Sequence, residues 1–122
     1  MTDIKCLDSS AWLEYFSGLS PEVREIVENG GLIVTSSLTL FEVKKKLLKL
    51  NRDHEPYLSI IKQRGTIIVP GIIIAEKAAK ISFEKKLPAV DALIYVTAMV
   101  SKAELITGDN DFRGLDNVKI IS

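Results

Sequence analysis

A single cysteine, Cys6, and a single histidine, His54, are all that this 122-residue sequence offers of those two residue types. An internal disulfide is thereby excluded, in keeping with a reducing compartment. A structural zinc site, which draws on clustered Cys and His ligands, has too few of them. Cys6 lies in an apolar run and reads as core. His54 lies in the polar stretch Asn51-Arg52-Asp53-His54-Glu55 and reads as a solvated loop residue rather than a general base. Aromatic residues make up only 7% of the chain, too few for an evident platform that stacks unpaired bases. Net charge is missing as well, sixteen basic side chains against sixteen acidic. That balance argues against a protein that coats nucleic acid, because such binding scales with the phosphates neutralised. It leaves room for an enzyme that grips a short stretch of backbone through a local basic patch and bridging cations. No apolar run approaches the length of a membrane span, and Met1-Thr2-Asp3-Ile4-Lys5 lacks the layout of a secretion signal. The expected location is the cytoplasm, with no membrane partner.

What is present is a rich apolar fraction, 47% with a mean hydropathy of +0.19. For a chain this short, that excess points to surface shared with a second subunit or a partner. Internal repeats, low-complexity segments and long linkers are missing, so residues 1–122 read as one domain. Short β-like runs alternate with helical segments, the pattern of a parallel sheet covered on both faces. Strands are predicted over Ile4–Leu7, Leu32–Thr35, Thr66–Val69, Leu105–Thr107 and Val118–Ile121. Helices are predicted over Ser10–Phe16, Leu38–Leu50, Pro56–Arg64, Ile72–Lys86 and Ala89–Lys102. A further helix is capped by Ser20 with Pro21 in its first turn and stops at Gly30-Gly31. The run Ile72-Ile73-Ile74 reads as core, with a dimer seam as its other use.

Four acids stand out. Asp8 directly follows the run Ile4-Lys5-Cys6-Leu7, and Asp109 follows Leu105-Ile106-Thr107 after one glycine. Both fall just past the carboxyl ends of predicted parallel strands, where open α/β sheets bind ligands. Either could equally be an ordinary turn or cap residue, Asp8 capping the next helix. Asp91 is the only charge in the apolar segment from Ala89 to Val100. As a first-turn acid it complements the helix dipole by about 0.3–1 kcal/mol. A partly buried carboxylate without a partner costs more than that, and nothing basic lies within a turn. A cation from elsewhere is the better account. Glu42, with Lys45 and Lys46 three and four residues on, reads by itself as a surface ion-pair former worth about 0.2–0.5 kcal/mol. Together the acids suit Mg²⁺ or Mn²⁺, hard cations that prefer carboxylate oxygens and activate bound water without a nucleophilic side chain.

These residues occur in a telling order. It runs strand–Asp8-Ser9-Ser10, helix-borne Glu42, Leu87-Pro88-Ala89-Val90-Asp91-Ala92-Leu93-Ile94, then Ile106-Thr107-Gly108-Asp109-Asn110-Asp111-Phe112. The order resembles the PIN domain, and in its compact size the VapC-type toxins of toxin–antitoxin pairs. The resemblance spans essentially the whole chain, and its Thr-x-Asp-x-Asp-Phe ending is its most specific part. It implies a three-layer α/β fold with a parallel five-stranded sheet between helices. It implies a ribonuclease whose catalytic acids are Asp8, Glu42, Asp91 and Asp109, with Asp8, Asp91 and Asp109 on Mg²⁺ or Mn²⁺. Asp111 matches a further acid that some members use, and Ser9, Ser10 and Thr107 match hydroxyls that orient the acids or the attacking water. Homodimers, an RNA substrate and an antitoxin that blocks the groove are implied too. Trp12 departs from the pattern, being bulkier than the aliphatic residue expected there.

Basic residues at Lys44-Lys45-Lys46, Lys49, Arg52, Lys85-Lys86 and Arg113 read chiefly as solvated faces. Arg113, beside the last acidic motif, and Lys45 are the candidates for contact with the RNA backbone. Other small α/β folds fit less well. A receiver domain wants adjacent acids after the first strand, and a haloacid-dehalogenase-type phosphatase wants Asp-x-Asp, whereas Leu7-Asp8-Ser9-Ser10 supplies one acid. The remaining alternative is a non-catalytic PIN-like binding module.

Overall fold

The computed structural model describes residues 3–121. Five parallel strands form one sheet: β1 (Ile4–Leu7), β2 (Leu32–Ser36), β3 (Thr66–Ile68), β4 (Glu104–Thr107) and β5 (Val118–Ile120). Six helices join them: α1 (Ser9–Ser17), α2 (Pro21–Asn29), α3 (Ser37–Lys49), α4 (Glu55–Arg64), α5 (Ile72–Lys85) and α6 (Ala89–Val100). Each expected element is present, with ends displaced by one or two residues. One element was not foreseen, the 3-10 turn at Asn110–Phe112.

Local chemistry explains the boundaries. Ser20 caps α2 by accepting from the Val23 amide, with Pro21 at its first position. Ser36 caps α3 in the same manner, through the Leu38 amide. Gly18 ends α1 at φ 73°, a left-handed conformation that costs a residue with a Cβ more than it costs glycine.

Along β1 and β4 successive side chains turn to opposite faces, as the pleat requires. Cys6 and Leu105 enter one core with Ile74, Ile94 and Phe112 from the α5–α6 side. Leu7 and Ile106 enter the other, with Trp12, Val23, Val43 and Ile61 from α1–α4. Burial pushes the Cys6 thiol up to about 12, with the charge of Asp8 adding to it, so this sulfur stays protonated and inert. Trp12 is fully buried. Its Nε1 donates to Thr35 Oγ1 at 2.9 Å, and that hydroxyl donates to the Leu7 carbonyl at 2.6 Å. The bulkier residue is thus accommodated with its one polar atom satisfied.

The isoleucine run corrects its expected role in part. Ile74 is buried, but Ile72 and Ile73 are 79% and 67% exposed. His54 also differs from a freely solvated loop residue. It stands at the N-cap of α4 with its side chain mostly covered.

The strand order is β3-β2-β1-β4-β5. The chain builds outward from β1 on one side through β2 and β3, then crosses over to add β4 and β5 on the other. Its topological switch point therefore lies between β1 and β4, where loops diverge and leave a crevice beyond the carboxyl ends.

Candidate metal centre

Register sets the first acid, Asp8, beside the end of β4. Leu7 pairs with Ile106, so the next residue on each strand, Asp8 and Thr107, meet at the sheet's carboxyl edge. The Asp8 amide donates to the Ile106 carbonyl at 3.3 Å. Asp8 is only 5% exposed. Its Oδ1 accepts from Ser10 Oγ at 2.7 Å and from the Ala11 amide at 3.0 Å, and its Oδ2 accepts from Thr107 Oγ1. Asp8 is thus the N-cap of α1 and a tie to β4 at once. Burial holds its carboxyl above the ordinary value, the hydroxyls of Thr107 and Ser10 and the Ala11 amide oppose that, and the charge of Asp109 adds to it.

Asp109 caps the 3-10 turn, accepting from the Asp111 amide at 2.9 Å, while its own amide donates to Thr107 Oγ1 at 3.0 Å. Ser10 Oγ accepts from the Gly108 amide at 2.8 Å. The two loops are stitched together through these hydroxyls.

Asp91 comes from the first turn of α6 and is half-buried. No lysine or arginine pairs with it among the described residues. Burial first, then the charges of Asp109, Asp111, Glu42 and Asp8, push its carboxyl up to about 6. Glu42, on the second turn of α3, is likewise raised, by burial and by the charges of Asp8 and Asp109, with the Ser9 hydroxyl acting against the shift. Neither Lys45 nor Lys46 forms an ion pair with Glu42 among the described residues, so the surface-pair account of it fails. All four acids named from the sequence therefore act on one another in one place.

One carboxylate oxygen from each of Asp91, Asp109 and Asp111 lies within 4.8 Å of the others. This trio differs from the expected ligand set by taking Asp111 in place of Asp8. An all-oxygen donor set of this kind fits a hard divalent cation. Arg113 and Lys45 stand outside the acidic cluster. The Arg113 guanidinium bonds the Asn110 side chain at 2.8 Å, and Lys45 Nζ sits 5.9 Å from the centre of the exposed Phe41 ring.

Similarity to known proteins agrees with this geometry. The PIN domain family matches residues 5–118. A chain of a toxin–antitoxin complex from Klebsiella pneumoniae superposes with a TM-score of 0.79 at 27% identity, over 94% of this chain and 95% of that one. A chain from the crystal structure of VapBC2 from Rickettsia felis, bound to a DNA fragment from its promoter, gives 0.79 at 18% identity over 98% and 99%. PAE2754 from Pyrobaculum aerophilum gives 0.70 at 17% identity over 90% and 76%. Among curated protein sequences none is a significant match. With nearly its whole length matched and its acids gathered at the switch point, the chain belongs to the PIN domain family.

Proposed function

We propose that this protein is a metal-dependent endoribonuclease, the VapC-type toxin of a toxin–antitoxin pair, acting as a single nuclease domain. Asp8, Glu42, Asp91 and Asp109 are its catalytic acids, with Asp111 beside them. The observation that carries this reading is the half-buried Asp91 carboxylate, raised to about 6 by burial and four neighbouring acids and paired with no basic side chain among the described residues. Repelling carboxylates cost stability unless a cation offsets them. A non-catalytic binding module has no use for that cost.

A bound Mg²⁺ or Mn²⁺ would supply an activated water and neutralise charge on the phosphate under attack. The chain's own groups prepare the place. Ser10 and Thr107 fix Asp8, Thr107 fixes the Asp109 amide, and Ser9 faces Glu42. Arg113 and Lys45, both exposed, are the side chains proposed to meet RNA backbone oxygens.

The antitoxin partner is inferred from the relatives, which are known as toxin–antitoxin complexes. A homodimer would cover the exposed apolar side chains Ile72, Ile73 and Phe83. No helix among the described residues is long and apolar enough to cross a membrane. The test is digestion of RNA with Mn²⁺ and with EDTA, for the wild type, Asp8→Ala and Asp91→Asn. Cleavage by the wild type with Mn²⁺ alone is expected. Cleavage that survives EDTA, or variants that cleave as well as the wild type, overturns the reading.

A further inference from the structure

Helix α3 runs from the acidic cluster into a basic face. After Glu42, its one acid, come Lys44, Lys45, Lys46 and Lys49. All four lysines are exposed, and among the described residues none of them forms an ion pair. On this face lies an apolar groove of 520 Å³ lined by Phe41, Leu48, Lys44, Lys45 and Lys49. Phe41 is 63% exposed. Lys45 Nζ stands near its ring, an attraction that leaves the cation in solvent. Phe41 immediately precedes Glu42, so the groove starts beside the acids and reaches Lys49 about 10 Å further along the helix axis.

The chemistry of this groove selects its occupant. A second copy fits poorly, because a two-fold contact lays a patch on itself and would set these lysines against their equivalents. Helix α5, which mixes Glu76 and Glu84 with its lysines, is the better seam. An acidic peptide satisfies the lysines but asks nothing of a flat ring. Single-stranded RNA satisfies both, with phosphates for the ammonium groups and the face of a base for the phenyl ring. A duplex keeps its bases stacked inside, away from such a ring. Scarce as aromatics are in this chain, one stands beside the acids and open to solvent.

We propose that the Phe41–Lys45–Leu48 groove is a subsite for an unpaired nucleotide next to the scissile bond, its base stacked on Phe41 and its phosphates met by Lys45 and Lys49. This assignment rests on the ribonuclease reading above and deepens it. Stacking requires the face of a base and no particular edge, so the subsite separates unpaired from paired RNA rather than one base from another.

Fluorescence anisotropy of labelled RNA with the full chain in EDTA measures binding without cleavage. Thermal melts establish that each variant is folded, and Phe41→Tyr keeps a ring in place. Phe41→Ala is expected to weaken binding of a short single strand by about ten-fold, with Phe41→Tyr close to the wild type and duplex binding unchanged. One abasic nucleotide, moved along the strand, should at one position cost the wild type affinity and cost Phe41→Ala nothing further. Lys45→Ala should lower the slope of log affinity against log salt by about 0.7. The assignment is overturned if Phe41→Ala binds the single strand as the wild type does, or loses single strand and duplex alike. It is also overturned if sedimentation shows a dimer that Phe41→Ala converts to monomer, which would make this face the contact between copies. Binding that depends on Phe41 without any cleavage in Mn²⁺ sinks the nuclease reading and leaves the groove. Cleavage by Phe41→Ala with unchanged KM sinks the groove and leaves the nuclease.

Discussion

The Thr107 hydroxyl donates to the Asp8 carboxylate across 99 positions of sequence, and the same oxygen receives the Asp109 amide. One small side chain thus fixes the distance between the two strand ends on which the acidic site is built. Buried relays of this sort reinforce each bond in turn, and they make the loss of any one member costly. The site is rigid on the Asp8 side and open on the side of Asp91 and Asp111.

Without a cation, stability should fall with rising pH because of Asp91. Its ordinary pKa is 3.8, and burial with neighbouring charge raises it to about 6 in the folded protein. The folded state therefore binds a proton there more tightly than the unfolded chain. The resulting stability is full below 3.8 and lost as pH rises through about 6. Because Asp91 is partly solvated, screening reduces the loss to about 1 kcal/mol. Asp91→Asn should remove it, leaving a variant at neutral pH as stable as the wild type or more so, and inactive. Urea denaturation at acid and neutral pH measures both. A variant that loses stability at neutral pH would make Asp91 a structural acid.

Divalent cations should reverse that penalty. A ligand at ten times its Kd stabilises the native state by about 1.4 kcal/mol, a shift of several degrees in Tm for a domain of this size. Mg²⁺ or Mn²⁺ should raise the melting temperature at neutral pH and leave it nearly unchanged in acid, where Asp91 is protonated. Differential scanning fluorimetry with EDTA as the reference tests this. An equal rise in Asp91→Asn would place the bound ion elsewhere.

Much of this was legible because it is local. Ser20-Pro21 and Ser36 announce helix starts through cap chemistry that depends on neighbours within three residues. Strand ends at Leu7 and Thr107 point to the acids that follow. The 3-10 turn was missed although its signal stood in the sequence, an Asp109 able to cap the Asp111 amide. Other features depend on what packs against what. Glu42 has a well-spaced Lys46 along its own helix, but tertiary packing sets it among Ser9, Asp8 and Asp109 instead. The exposure of Ile72 and Ile73 depends on which face of α5 meets α6, which the three identical residues cannot encode. Whether Asp8 or Asp111 offers a free oxygen is a question of hydrogen bonds, and no spacing rule answers it.

The position of Glu42 makes Lys46 dispensable for stability. Since the two form no ion pair, Lys46→Ala should cost under about 0.5 kcal/mol, the range of an ordinary surface substitution. Chemical denaturation provides the measurement. A loss well above that would restore a pairing role to Lys46.

Trp12 should report on the core it fills. It is the chain's only tryptophan, fully buried and stacked on Phe16 with ring centres 6.1 Å apart. Its emission should be blue-shifted in the native state and move red on unfolding. Trp12→Leu, the aliphatic choice, leaves a cavity and strips Thr35 of its donor. The expected cost is about 3–5 kcal/mol by urea denaturation. A loss under 1 kcal/mol would mean that α1 packs more loosely than its aromatic cluster implies.

Thr107→Val keeps the shape of the side chain and deletes the hydroxyl, so it isolates the relay. Asp8 Oδ2 would lose its one donor in a nearly dry place, and the Asp109 amide would lose its acceptor. An unpaired buried acceptor costs about 1–3 kcal/mol, and more when charged. Losing a donor to the ionised form raises the Asp8 carboxyl further above its ordinary value. The folded variant then holds the Asp8 proton more tightly than the wild type does, so its deficit grows with pH and shrinks in acid. Thr107→Ser retains the donor and should recover most of the loss. Urea denaturation of both variants at acid and neutral pH gives the comparison. A pH-independent deficit, or a serine variant no better than valine, would show that the methyl packing of Thr107 matters and its bond to Asp8 does not.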